Sequence, residues 1–220
     1  MHLLLYHTDH FFSVTEKPHD ILAAILESIN LSHHIDLFTE EEVAEDNLHV
    51  FANDDLLKSI GIISGLDRLK IILQIQKHKS GPKSTQEHSV EKVIDFLRRT
   101  PDMEQYISYF EEKQIDGDLL LAATDEVLQE LGIDSAFHRL KIRICFQREV
   151  RGPSALALQY PVGVVVALLK ANNMDAKYQL VLETHKIDGE LLVEASDQVL
   201  REIGIKSRIH QHNIKKLIQK

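Results

Sequence analysis

The sequence predicts an all-α protein built as three similar helical bundles in tandem. Three observations predict it: a repeat with a period of 71 to 72 residues, apolar residues at helical spacing without strand-like alternation, and two Gly-Pro breaks that cut the 220 residues into blocks of similar size.

The repeat organises everything else. Ile115-Asp116-Gly117-Asp118-Leu119-Leu120 recurs 72 positions later as Ile187-Asp188-Gly189-Glu190-Leu191-Leu192. The same offset carries Val90, Val93 and Leu97 onto Val162, Val165 and Leu169, Tyr106 onto Tyr178, and Gly132-Ile133 onto Gly204-Ile205. A third copy lies upstream, with Leu22, Ile25, Leu26 and Ile29, then Ile35, Phe38, Val43 and Leu48, and finally Leu56-Leu57 and Gly61-Ile62. The breaks fall at Lys79-Ser80-Gly81-Pro82 and Val150-Arg151-Gly152-Pro153. They give an extension over 1–16, units over 17–79, 89–149 and 160–220, and linkers over 80–88 and 150–159.

Within each copy the elements read as helices. Val90, Val93, Ile94 and Leu97 follow the i, i+3, i+4, i+7 stripe of a half-buried helix, as do Leu22, Ile25, Leu26 and Ile29. Thr124-Asp125-Glu126 and Ser196-Asp197 read as N-caps with acids where the helix dipole favours them. Gly132 and Gly204 stand where a helix ends in a left-handed residue. The closing helix is the longest. Leu66, Leu69, Ile72 and Leu73 form its apolar face in the first copy, and Phe137, Leu140 and Ile144 in the second.

Composition narrows the function. An apolar fraction of 44% with 27% charged residues describes a globular chain. The single Cys145 makes no internal disulfide and reads as a small packed hydrophobe in a reducing compartment. The opening residues lack the basic segment of a signal peptide, and the longest apolar run, 162–169, falls far short of a membrane span of about 20 residues. A cytoplasmic location and no membrane partner are expected. Units of this size bury small cores, so function is expected on outer faces.

These residues resemble the sterile alpha motif (SAM) family: an amphipathic first helix, an aromatic at Tyr106 or Tyr178, the Ile-Asp-Gly turn, a Leu-rich short helix, then Leu-Gly-Ile or Ile-Gly-Ile and a basic final helix. The first copy fits through Ile35-Asp36-Leu37-Phe38, Leu57-Lys58-Ser59-Ile60-Gly61-Ile62 and Leu66-Asp67-Arg68-Leu69. It departs from the pattern with Val43-Ala44-Glu45 in place of Ile-Asp-Gly. The third copy departs at His210-Gln211-His212. No copy has the Trp common near the start of such domains, and Phe12 or Val14 takes that place in the first. The competing description is an unrelated helical bundle such as the death-domain fold. The resemblance implies five-helix bundles and a role in protein binding, through an acidic mid-loop face and a basic end-helix face that meet head to tail.

Charge is distributed accordingly. Residues 17–79 hold 6 basic and 11 acidic side chains and residues 84–149 hold 8 and 14, whereas residues 160–220 hold 9 and 7. The expected mid-loop acids are Glu41, Glu42, Glu45, Asp46, Asp54 and Asp55 in the first unit, Asp116, Asp118, Asp125 and Glu126 in the second, and Asp188 and Glu190 in the third. The expected end-helix residues are Leu66 and Arg68, then Phe137, His138, Arg139 and Lys141, and finally Lys206, Arg208, Ile209 and His210. Complementary patches on different parts of one chain make a heterologous contact that forms a ring or a filament. The expected partners are SAM-domain proteins, either further copies in a homo-oligomer or a heterologous protein recruited by a monomer.

Other chemistry is declined. The His33-His34 and His210/His212 pairs lack cysteine partners and the His-Glu-x-x-His pattern, so they read as solvated positions and no metal is expected. No glycine-rich phosphate loop is present. Neither a catalytic residue, an enzyme activity nor a cofactor is expected. Nucleic acid is disfavoured by the net charge of -9, the alternative being an RNA hairpin on Lys206, Arg208, Lys215 and Lys216 of the third unit.

Overall fold

Helix starts in this chain are set by short polar side chains. The computed structural model describes residues 18–43, 47–80 and 88–219. In it, the side-chain oxygens of Asn53, Asp116, Thr124, Ser135, Asp188, Ser196 and Ser207 each accept a first-turn backbone N–H from the helix they precede. Each such cap is worth about 1 kcal/mol.

Fifteen α-helices result among the described residues, and none of those residues forms a strand. The first unit holds α1 (Pro18–Ser28), α2 (Ile35–Glu40), α3 (Asp54–Ser59) and α4 (Gly65–Ser80), with 3-10 turns at Ser32–His34 and Leu48–Phe51. The second holds α5 (Val90–Arg99), α6 (Ile107–Glu112), α7 (Gly117–Ala122), α8 (Asp125–Glu130) and α9 (Ala136–Arg151). The remainder comprises α10 (Ala155–Gln159), α11 (Val162–Ala171), α12 (Ala176–Thr184), α13 (Gly189–Glu194), α14 (Asp197–Glu202) and α15 (Arg208–Ile218).

The backbone repeats with the sequence. Left-handed residues recur at corresponding corners: Asn30, Asp102 and Asn173 after the first helix, Glu42, Gln114 and Lys186 before the turn, and Gly61, Gly132 and Gly204 before the last helix. The turn glycine is dictated by close approach. Gly117 and Gly189 donate their N–H to His88 O (2.7 Å) and Tyr160 O (2.8 Å), and a Cβ on Gly189 would stand 2.5 Å from Tyr160 Cβ. In the first unit, where this glycine is missing, the following element is the 3-10 turn Leu48–Phe51 in place of an α-helix. The extension over 1–16, with Phe12 and Val14, and the acids Glu45 and Asp46 lie outside the described residues.

Two features differ from expectation. The stretch 150–159 is largely helical, because α9 continues to Arg151 and Ser154 caps α10, whose Leu156 packs on the third core. The closing helices α4 and α9 carry two apolar stripes. The inward stripes, Ile71 and Ile75 on α4 and Ile142 and Phe146 on α9, fill the core of the helix's own unit. Leu66, Leu69 and Leu73, and likewise Ala136, Phe137, Leu140 and Ile144, face the other way and enter the core of the following unit. α15 has the inward stripe alone, Ile214 and Ile218.

Candidate functional site

The outward stripes make two joints of one design. Ser64, the N-terminal tip of α4, donates its hydroxyl to Glu130 Oε2 (3.1 Å), and the N–H groups of Gly65 and Leu66 donate to the same carboxylate at 2.8 and 3.1 Å. At the next joint, Ser135 Oγ donates to Glu202, and Ala136 and Phe137 donate their N–H groups to Glu202 Oε2 at 3.0 and 3.4 Å. Each carboxylate thus satisfies orphan donors at the positive end of a helix. The first tip residue is small because the acceptor presses on it: a Cβ on Gly65 would lie 2.9 Å from Glu130 Oε1 and 3.4 Å from Val127.

Beside this clamp the apolar stripe is buried. Leu66 is 7% and Phe137 3% exposed, and full burial of such a side chain is worth roughly 1.5–3 kcal/mol. The Phe137 ring meets His185 of the third unit edge-on at 5.4 Å. At the far end of each helix a cation crosses the joint. Lys77 pairs with Asp116 (3.2 Å) and Asp118 (3.1 Å), and Arg148 binds Asp188 through two nitrogens (2.6 and 2.9 Å) and Glu190 at 2.6 Å. Burial works against both cations, yet the facing acids prevail and raise their pKa values. A cleft of about 770 Å³ beside the first joint is lined by Lys70, Lys77, Glu112, Lys113, Asp116 and Glu130.

These joints correct several expectations. Leu66 and Phe137 are core residues of the following unit and present no free apolar tip. Arg68 and Arg139 are buried braces inside their own units. Their Nε atoms bond Asp54 (2.7 Å) and Asp125 (2.8 Å), and their Nη1 atoms bond the carbonyls of Ile62 and Ile63 and of Ile133 and Asp134. Lys141 is 1% exposed and bonds Pro101 O at 3.0 Å; burial lowers its pKa against the pull of Asp102. His138 accepts or donates a 2.7 Å bond with Tyr106 OH, and burial lowers its pKa. The acids Asp116, Asp118, Asp188 and Glu190 are engaged across the joints, and Asp54 and Asp125 within units. Glu41, Glu42, Asp55 and Glu126 are exposed.

The third tip is different. Lys206 and Arg208 are exposed and Ile209 is 72% exposed. Ser207 still caps α15, and His210 Nδ1 bonds Tyr178 OH at 2.8 Å as its counterpart does in the second unit. Where Arg68 and Arg139 brace their units, Gln211 reaches the carbonyls of Ile205 (2.6 Å) and Asp197 (3.5 Å), leaving its buried Oε1 unpartnered.

The first unit also varies the pattern. His34 and Asp67 lie 72 and 71 positions before Tyr106 and His138, and they form a 3.3 Å pair of their own. His34 is therefore part-buried and paired, not solvated as expected. With His33 these side chains offer ligand atoms within 4.8 Å of one another, the one such cluster among the described residues. Cys145 is partly covered, and burial raises its thiol pKa. No described helix is long and apolar enough to cross a membrane.

A family model of the SAM domain (sterile alpha motif) matches residues 86–148 and 159–220, and a second model of the same domain matches residues 22–79. A curated relative, the NAD(+) hydrolase tir-1 of Caenorhabditis elegans, is 26% identical over 147 residues, which is 66% of this chain and 14% of that protein.

Proposed function

Since the chain belongs to the sterile alpha motif family through all three of its units, and SAM domains are protein–protein interaction modules, we propose that it is a cytoplasmic adaptor. Its units, over 17–79, 89–149 and 160–220, dock end-helix on mid-loop in a row and offer the end-helix tip of the third to the acidic mid-loop face of a further SAM-type unit. The contact residues are Lys206, Arg208 and Ile209. The observation that carries this reading is the contrast in exposure at one position: Leu66 and Phe137 are sunk in a neighbour, whereas Ile209 stands 72% exposed among cations. Exposed charges set orientation and partner choice, and the apolar tip supplies the contact energy.

The test is binding to a panel of immobilised SAM domains with acidic mid-loops, measured for the wild type and for Ile209→Asp with Arg208→Glu. Capture by the wild type and at least about tenfold weaker capture of the variant is expected, a difference of roughly 1.4 kcal/mol. Equal capture of both would refute the assignment of the surface.

A further inference from the structure

Resting on that reading, we infer that the α15 tip is shaped for a foreign, carboxylate-rich helical face and not for the first unit of another copy, so that the row of docked units stops at three. Both halves of the joint change on the outward faces of the first and third units. On the tip, the small Gly65 and Ala136 correspond to Arg208, Leu69 and Leu140 to His212, and Leu73 and Ile144 to Lys216. Only Ile209 keeps the apolar character of Leu66 and Phe137. On the would-be acceptor, Glu130 and Glu202 correspond to Ser59, which is exposed and whose hydroxyl donates to Leu56 O at 2.7 Å. Among the described residues, the first unit therefore offers a hydroxyl and not a carboxylate at the position the tip N–H groups need. Of its described acids, Glu40, Glu41 and Glu42 lie at the end of α2 and Asp54 and Asp55 in the first turn of α3, not at the end of α3 where the clamp belongs.

The changes on the tip also say what fits it. Pressing Arg208, His212 and Lys216 onto an acceptor of the internal kind would bury cations against apolar groups, which opposes the contact strongly when they are unpaired. The tip disfavours that partner and fits better one with acids opposite those three positions, a carboxylate for the N–H pair and a pocket for Ile209, so that each of these added to a face strengthens the contact. A protein face is favoured over a phosphate backbone by three observations. An apolar side chain sits at the centre of the patch, the two sibling tips hold a carboxylate, and the chain as a whole carries a charge of -9.

Sedimentation velocity of the full chain over a wide concentration series, at low and high salt, tests this. The wild type is expected to remain one monomeric species. Ser59→Glu supplies the clamp carboxylate of the sibling units at the end of α3, where the first unit has only a hydroxyl. It is expected to self-associate at least about tenfold more tightly than the wild type, to do so less at high salt, and to return to monomer when Ile209→Asp is added. Thermal melts verify folding, with Ser59→Asp as the second variant.

A folded Ser59→Glu chain that stays monomeric overturns the inferred partner chemistry. Wild-type self-association that Ile209→Asp removes overturns the stop at three, while the α15 tip remains the binding surface. Saturable binding of a hairpin RNA by the wild type, lost in Arg208→Glu, overturns the protein partner. The adaptor reading itself fails on a different result, unchanged capture of the variant carrying Ile209→Asp with Arg208→Glu by the SAM panel.

Discussion

At the tips of α4 and α9, a serine cap is followed by a small residue, a large apolar residue and a stripe that continues for two more turns, and a glutamate from the next unit closes over the exposed N–H groups. At the tip of α15 the serine cap and one apolar residue persist, but the small residue has become Arg208 and the stripe has become His212 and Lys216. The cap serves the helix itself and is needed at every tip. The stripe serves only a neighbour, and it is absent at α15, whose tip no described unit covers. A repeat unit whose outer face is uncovered commonly carries a polar one, because an apolar face would stay in water.

Replacing the central residue at a closed and an open tip should separate them most. Phe137→Ala is expected to destabilise the chain by about 3–5 kcal/mol, as for other buried aromatic truncations. Ile209→Ala is expected to change stability by no more than about 0.5 kcal/mol. Chemical denaturation of the two variants side by side makes the comparison, and similar losses would show that the two tips are equally buried. The clamp gives a smaller contrast. Glu202→Ala removes the acceptor of two N–H groups and a hydroxyl and is expected to cost about 1–2 kcal/mol, whereas Ser59→Ala at the corresponding position should be nearly silent. A silent Glu202→Ala would reduce the clamp to a surface contact.

Acid should loosen the joints before it affects the open tip. Burial works to raise the pKa values of Asp102 and Asp118, but His185 and Lys141 around the former, and His88 and Lys77 around the latter, hold them below the ordinary 3.8. His138 is held below 6.5 by burial, against the pull of Asp102. All three are depressed, so the stability they contribute is complete above the ordinary values and lost as the solution is acidified through the folded ones. The His138 contribution should fade as pH falls below 6.5, and those of the two aspartates below 3.8. Amide exchange at the tips of α4 and α9 is expected to quicken over that range more than at α15. Uniform quickening would mean that these groups do not govern the joints.

Much of the fold is legible in the sequence, and the particular residues show where legibility ends. Thr124 and Ser196 announce helix starts, and Gly132 and Gly204 announce helix ends, because caps and left-handed corners are local requirements. The apolar face of α4 is also visible, yet Leu66, Leu69 and Leu73 belong to a neighbour's core while Ile71 and Ile75 fill their own. A single stripe at helical spacing does not reveal which of two bodies it enters. The usable signal is the second stripe: a helix apolar on two sides must be covered on both. Charge was the less transparent part. Asp116, Asp118, Asp188 and Glu190 look like a partner's docking face until Lys77 and Arg148 are found one repeat apart, each facing one pair of these acids across a joint.

Because the second unit receives Leu66 into its interior and gives up Phe137 to the third, it has no boundary along which it could be excised intact. Cleavage within 81–87 followed by loss of the first unit would leave an unfilled hollow, and removal of the third would strand an aromatic ring in water. The chain is therefore expected to unfold as one cooperative object, and fragments cut at unit borders are expected to melt well below the whole.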